Sequence, residues 1–414
     1  MYPKIKQDAK ICLIANGCHE NRNDAARIQE FFIQNGWSIV NDFKLADVIY
    51  FCACGSLEDS YLNSINIIKQ LNDQKKPNAK LIICSCLTKI NKDLIKKINQ
   101  GPTFGPDEFE KLNEMFKPKI EAQHIHANFL VSYPNLMNKY ERISMYIKDS
   151  GFFINIITWF TKIFLEKIHS KTSVVSNPNA FFIKVSTGCL SNCAFCSIRK
   201  TRGNLRSKPI EKIVEEFKEG LEKGYTEFGL IGTDVGSYGR DQGVNLAVLL
   251  KELINIKGDY KIKLRNINPK FLIEMMPELH KIFQSGKISY ILTGMQSGNN
   301  RILKLMNRDY KIKDFKDTIK TINSKYPEIK IRTQVIVGYP SETKEEFKDT
   351  VRVLDNLTFD AVEVFMFNPR SNTIASKMEK QIPRKVAKRR YFKLYMKTIF
   401  NEIERNKKSR ISIR

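Results

Sequence analysis

Three cysteines, Cys189, Cys193 and Cys196, form a C-x3-C-x2-C string directly after a run, Phe181–Ser186, that reads as a strand. Three thiolates at this spacing can wrap a compact loop round one cubic iron–sulfur cluster and leave one iron without a protein ligand. That open position is the chemical point, because a fourth protein ligand would close the site, whereas an open metal binds a cofactor or substrate. Zinc is the competing metal, but it usually takes a fourth Cys or His, and no His lies near this loop. The other six of the nine cysteines are Cys12, Cys18, Cys52, Cys54, Cys84 and Cys86. Cys18, Cys54 and Cys86 each fall at or just beyond the end of a different expected strand. Parallel strands would bring these three thiols to one sheet edge, a second place for a cluster with an open iron. Cys52 and Cys84 lie two residues upstream on the same strand face, and Cys12 lies within the first strand. Those positions suit buried, inert thiols. They could also act as sulfur relays, although nothing in the sequence requires it.

The elements that must hold these residues follow from periodicity. Residues 10–100 alternate short apolar runs with helical patterns: KICLIANG, a helix through Arg27 to Gln34, ADVIYFCAC, a helix near Tyr61 to Leu71, KLIICSC, and a helix after Asn91. Strands separated by helices of this length predict an α/β fold with a doubly wound parallel sheet, whose crossovers put every strand end on one edge. Residues 181–367 repeat the alternation six times, with strands expected at Phe181–Ser186, Glu227–Ile231, Lys261–Asn266, Ser289–Thr293, Lys330–Val337 and Ala361–Phe367. This predicts a six-unit β/α barrel or partial barrel, with the active site at the carboxyl ends of the strands. The turn-rich strings TGCLSNCAFC, GTDVGSYG, NINP, GMQSGNN, GYPSET and NPRSN belong to that region.

The domain plan is therefore an N-terminal sheet domain over 1–103, a linker or insert over 104–180, a barrel over 181–370 and a basic helical tail over 371–414. Within the insert, GFFINIITWFTKIFLEKIH is too short and too interrupted by Thr and Lys for a membrane span. An amphipathic helix packed on the protein is expected there, with a membrane-surface or partner-binding helix as the alternative. No stable membrane association is expected.

Composition narrows the class further. With 414 residues and 42% apolar content the chain can bury a sizeable core, which excludes disorder over most of its length. Lys and Arg exceed Asp and Glu by 69 to 44, and a formal charge of +25 favours a polyanionic partner. An A+T-biased genome that writes Lys freely would give the same excess. From Glu379 onward thirteen Lys or Arg face three Glu, which reads either as a solvated helix face or as a phosphate-binding surface. The N-terminus lacks the apolar core of a signal peptide, so a reducing cytoplasm is expected. Clustered cysteines there mean metal or catalysis rather than disulfides.

The C-x3-C-x2-C string, with Phe195 just before its last cysteine, resembles the signature of the radical S-adenosylmethionine (SAM) superfamily. The strings ANGCHENRNDAARI, ADVIYFCACGSLEDSYLNS and KLIICSCLTK, followed by TGCLSNCAFCSIRKTRGNLRSKP, LIGTDVGSYGRD, GMQSGNNRILKLMNRDY and RTQVIVGYPSETKEEF, are similar in content and order to the radical SAM methylthiotransferases. The similarity covers about residues 10–370. RGNLRSKP and DVGSYGRD are closest to the branch that modifies threonylcarbamoyladenosine in tRNA.

The resemblance implies two 4Fe–4S clusters and SAM. Cys189, Cys193 and Cys196 would carry the SAM-binding cluster, and Cys18, Cys54 and Cys86 an auxiliary one. Phe195, Thr233, Asp234, Gln296, Ser297, Val337 and Gly338 would line the SAM pocket. It further implies replacement of a C–H bond by C–S–CH3, with one SAM supplying the methyl group and another the radical, and an electron donor such as flavodoxin or ferredoxin. No general acid or base is implied.

Departures bear on the substrate. Thr233 stands where the family has Gln, Gln334 where it usually has Asp, and the linker is longer. The chain is expected to lack the C-terminal TRAM domain. A tRNA adenosine near the anticodon is the first expectation. A protein or ribosomally made peptide is the second, with the segment Phe152 to Ile168 framing a groove. Sulfur insertion or electron transfer without methyl transfer, and a non-catalytic nucleic-acid-binding protein, complete the alternatives.

Overall fold

The computed structural model describes residues 5–55, 58–131, 180–370 and 373–411. It divides into two compact units, Met1–Ala180 and Phe181–Arg414.

In the first unit β1 (Lys10–Ala15), β2 (Ser38–Ile39), β3 (Val48–Cys52), β4 (Lys80–Cys84) and β5 (Thr103–Phe104) form a parallel sheet in the order β2-β1-β3-β4-β5. The central strands are apolar throughout because both faces are covered. Along β3 the side chains alternate between two cores. Val48, Tyr50 and Cys52 pack with Phe31, Phe32 and Phe116, while Ile49 and Phe51 pack with Ile67, Ile68 and Leu71. The chain order reverses between β1 and β3, which makes the carboxyl edge at that point the natural ligand crevice of such a sheet.

The helix after β1 starts at His19 rather than near Arg27. Its polar opening HENRND forms helix because Asn21 donates to the carbonyls of Asn16 and Cys52, both at 2.8 Å, and Asn23 donates to those of Ala127 and Phe129. Residues 104–131, expected to begin a linker, belong to this unit. Leu112, Met115, Phe116 and Ile125 fill its core. The apolar stretch Gly151 to His169 lies outside the described residues.

In the second unit β6 (Phe181–Lys184) leads into a short antiparallel pair, β7 (Ser186–Thr187) with β8 (Arg206–Ser207). The parallel sheet continues with β9 (Glu227–Ile231), β10 (Lys261–Ile267), β11 (Ile288–Gln296), β12 (Lys330–Val337) and β13 (Ala361–Met366), in the order β13-β12-β11-β10-β9-β6. Six parallel strands in sequential order, with β6 and β13 as unjoined edges, form a partial β/α barrel, as the periodicity predicts. Its helix-facing side holds Phe217, Phe228, Leu264, Ile291, Ile319 and Val335. The opposite side is polar, with Lys263 on Glu227 at 2.7 Å and Arg332 and Gln334 both donating to Glu363.

Within the basic tail Arg384–Ile411 form a single helix that belongs to this unit. Ala387 and Leu394 are buried, and Leu394 joins the barrel core. No helix among the described residues is long and apolar enough to cross a membrane.

Candidate active site

The Cys189–Cys196 loop leaves the carboxyl end of the barrel's first strand and is pinned at its base. The Cys189 amide donates to the Gly203 carbonyl at 3.3 Å, and Gly188 adopts φ +81, where a Cβ would stand 2.0 Å from the Asn204 carbonyl oxygen. Neighbouring strand ends hold the rest of the loop. The Gly188 amide donates to Thr233 Oγ1 at 3.2 Å, Asn268 Nδ2 to Ser191 Oγ at 2.8 Å, and Asn307 Nδ2 to the Asn192 carbonyl at 2.7 Å. Ala194 donates to Met306 and accepts from Ala375, and Phe195 packs against a small core of Ala194, Ile302, Met306, Ile336 and Tyr339.

The three thiols receive donors suited to thiolate ligands. The Ser191 amide reaches Cys189 Sγ at 3.3 Å, the Ile198 amide reaches Cys196 Sγ at 3.4 Å, and Arg308 Nη1 reaches Cys193 Sγ at 3.4 Å. Burial, with Asp234 nearby, pushes the Cys189 thiol up to about 12. Burial, with Cys193 nearby, pushes Cys196 up to about 11. Such thiols stay protonated at neutral pH until a metal takes the place of the proton. No three His, Cys, Asp or Glu side chains converge on a single-ion site among the described residues. A cubic cluster presents its irons on separate corners, so its thiols stand farther apart than those round one ion.

Buried polar atoms with no protein partner include Asp234 Oδ2 just beyond β9, Gln296 Oε1 at the end of β11, Thr293 Oγ1 within β11, Ser186 Oγ at the start of β7, and Nε of Arg308, whose Nη1 reaches Cys193. Such orphans at the carboxyl ends of β6, β9 and β11 fit a ligand bearing both donors and acceptors. Burial lifts the Asp234 carboxyl to about 6, against the pull of the Asn268 amide and Arg308. Gln296 holds φ +66, a strained value for a non-glycine residue. Thr233, which accepts from the Gly188 amide, and Asp234, close to Cys189, thus stand beside the cysteine loop, and Gln296 ends β11. Ser297 is buried and accepts from the Asn299 amide, and Val337 turns into the helix-facing core. Gly338 (φ +74) meets the C-terminal helix, since a Cβ there would stand 2.6 Å from Ala387 Cβ. Arg308 is a site residue that sequence reasoning missed, although it stands within the string MNRDY.

At the edge of the first unit the loops after β1, β3 and β4 are tied together. The Cys54 amide donates to Asn16 Oδ1 at 2.7 Å, and Leu87 donates to the Ala53 carbonyl at 3.2 Å. Gly17 (φ +85) packs so closely on Cys54 that a Cβ would stand 2.4 Å from both Cβ and Sγ of Cys54. Cys18 caps the first helix and is exposed, whereas Cys54 and Cys86 are buried. Cys18 and Cys54 therefore flank the point where strand order reverses. Ser85, just before Cys86, has φ 86 and ψ −159, a region close to glycine-only.

Comparison with known proteins agrees with both halves. The family described as Radical SAM superfamily matches residues 183–354, and Uncharacterized protein family UPF0004 matches residues 10–104. The ribosomal protein uS12 methylthiotransferase RimO of Thermodesulfovibrio yellowstonii is 30% identical over 403 residues, covering 95% of this chain and 84% of the relative. The chain belongs to the radical SAM methylthiotransferase family. This is an enzyme family that uses SAM and 4Fe–4S clusters. The threonylcarbamoyladenosine tRNA methylthiotransferase MtaB of Thermotoga maritima is 29% identical over 377 residues, 90% of this chain and 78% of the relative. A tRNA-2-methylthio-N(6)-dimethylallyladenosine synthase from Thermodesulfovibrio yellowstonii is 28% identical, with 89% and 78% covered. The radical SAM methyltransferase TsrM of Kitasatospora setae shares the fold at 10% identity, with a TM-score of 0.58 over 89% of this chain and 75% of that one. Family members of this similarity thus carry names for tRNA and for ribosomal-protein substrates alike.

Proposed function

We propose that this methylthiotransferase converts a C–H bond of a tRNA adenosine near the anticodon into C–S–CH3. Cys189, Cys193 and Cys196 would hold the SAM-binding cluster, and Cys18, Cys54 and Cys86 the auxiliary one. When bound, these groups supply the radical, the methyl group and the sulfur. The chain's own residues do the positioning. Arg308 brings a guanidinium to Cys193, while Asn268 and Asn307 fix the loop and Phe195 anchors it in an apolar core. Thr233, Asp234, Gln296, Ser297 and the backbone at Val337 and Gly338 would line the SAM pocket.

The observation that carries the choice of RNA is a row of exposed cations on the C-terminal helix. Lys385, Arg389 and Lys393 recur every fourth residue and have no carboxylate partner among the described residues. They stand about 6 Å apart along one helix face, which suits a phosphate backbone. The helix beneath them is anchored by the Arg390–Glu342 pair, so the row is presented on a fixed support. Free thiols and oxygen-sensitive clusters suit a reducing cytoplasm, with a flavodoxin or ferredoxin as electron donor.

The test is an anaerobic reaction of reconstituted enzyme with reductant, SAM and either tRNA or a uS12-derived peptide, followed by mass spectrometry for the mass gain of one methylthio group replacing hydrogen. A gain on a tRNA nucleoside is expected, with Cys18→Ala still forming 5'-deoxyadenosine but no methylthio product. A gain on the peptide alone would overturn the RNA reading in favour of a ribosomal-protein substrate.

A further inference from the structure

Beneath the sheet-edge cysteines lies a thiol pair that cluster ligation does not explain. Cys52 and Cys84 are direct register partners on β3 and β4, and their Sγ atoms lie 3.0 Å apart. Closing that gap to a disulfide needs a movement of only about 1 Å. Both thiols are buried on the face that carries Tyr50.

They are not equivalent. A crevice with room for about one water reaches Cys84 between Asp24, Tyr50, Ser85 and Glu108, and Cys52 is not among its lining residues. Each cysteine also stands two residues before a sheet-edge cysteine, Cys54 or Cys86, about 7 Å along the strand. The pair therefore couples one thiol that lines the foot of a narrow crevice with a second directly beside it, two residues before Cys54 and Cys86.

We propose that Cys84 and Cys52 act as attacking and resolving thiols that reduce the sulfane sulfur of inorganic persulfide to sulfide beside Cys54 and Cys86. The purpose of that sulfide rests on the methylthiotransferase reading, since each methylthio product removes one sulfur that must be replaced. The chemistry is balanced thiol–disulfide exchange. Cys84 attacks HS–SH, an S–S bond forms to Cys84 as the donor's S–S bond breaks, and a Cys84 persulfide and one molecule of hydrogen sulfide result. Cys52 then attacks Cys84 Sγ, the bond to the outer sulfur breaks, and that sulfur leaves as a second hydrogen sulfide with the proton of Cys52. The two thiols lose two electrons to become the Cys52–Cys84 disulfide, and the sulfane sulfur gains them. A small dithiol reductant restores the pair.

The test uses the full-length, cluster-reconstituted enzyme freed of small thiols and mixed anaerobically with disodium disulfide. Released sulfide is counted, and cysteine peptides are mapped after acid quench and alkylation. Wild type is expected to release about two sulfides per chain above a Cys52→Ser/Cys84→Ser double variant and to carry a Cys52–Cys84 link. Cys52→Ser should release about one and retain the extra sulfur on Cys84. Cys84→Ser should match the double variant, and Cys12→Ser, on the opposite sheet face, should match wild type. Iron content and circular dichroism verify that each variant is folded. Sulfide release by Cys84→Ser equal to wild type, or no 52–84 linked peptide in wild type, would overturn the proposal. Neither readout needs a methylthiolated product, so failure of the substrate reading leaves this outcome unchanged.

Discussion

The tie between Glu342 and the C-terminal helix gives a sharp energetic test of how the basic helix is held. Arg390 Nη1 donates to Glu342 Oε2 at 2.6 Å and to the Glu342 carbonyl at 2.9 Å, and the same carboxylate accepts the Gly338 amide at 2.8 Å. The two side chains are 11% and 1% exposed, so neither charge can turn to water if its partner is lost. Removing one member of a buried pair costs about 3–5 kcal/mol. Glu342→Gln keeps an acceptor for the Gly338 amide, so a cost near the lower end, about 3 kcal/mol, is expected. That corresponds to roughly 150-fold faster hydrogen exchange for amides of the helix Arg384–Ile411, at about 1.4 kcal/mol per tenfold. Amides of β12 serve as an internal control. Arg390→Met should cost a similar amount by leaving the carboxylate unpaired, while the double variant should lie closer to wild type than either single one because no charge is stranded. An exchange change below tenfold in both single variants, or strictly additive effects, would refute the view that this pair holds the helix in place.

Gly188→Ala and Gly17→Ala should each remove one cluster and spare the other. A Cβ at the first meets the Asn204 carbonyl and at the second meets Cys54, so iron analysis should fall from about eight to about four per chain in either variant. Arg301 holds the Glu346 carboxyl at about 2, below its ordinary value of 4.5. A depressed carboxylate stabilises above its unfolded pKa and loses that contribution as pH falls. Stability of the helix Lys344–Asp355 should therefore decline between pH 4.5 and 2, by no more than about 1 kcal/mol since Arg301 is half exposed, and Arg301→Ala should flatten the profile in acid titration by circular dichroism. Replacing Lys385, Arg389 and Lys393 with Gln should weaken tRNA binding and reduce the slope of log affinity against log salt by up to about 0.7–0.9 per lost phosphate contact. An unchanged slope in filter-binding titrations would remove the RNA role of this face.

Much of the architecture was legible in the sequence because it is encoded locally. All six expected barrel strands, those at Phe181, Glu227, Lys261, Ser289, Lys330 and Ala361, appear within three residues of their expected ends, with β6 stopping at Lys184 and a separate short strand, β7, taking up Ser186. Local pattern failed where long-range partners decide. The helix expected over Arg27 to Gln34 begins eight residues earlier, at His19, where Asn21 and Asn23 meet distant carbonyls. Residues 104–131 read as a linker until their aromatic and aliphatic side chains find the N-terminal core. The charge-dense tail hides the apolar side, Ala387 and Leu394, that docks it.

By itself the sequence determined the chemistry on offer, since C-x3-C-x2-C spacing and strand-end cysteines are properties of a short stretch of chain. It also determined where the barrel strands lie, through periods of two and of 3.6. Only the tertiary structure decided the strand order that puts Cys18 and Cys54 at a reversal point, the register that sets Cys52 against Cys84, and the placing of Arg308 on Cys193 across 115 residues. The physical reason is that periodicity is written in near neighbours, whereas register and long-range hydrogen bonds are settled by which packed arrangement satisfies the whole set of buried groups together.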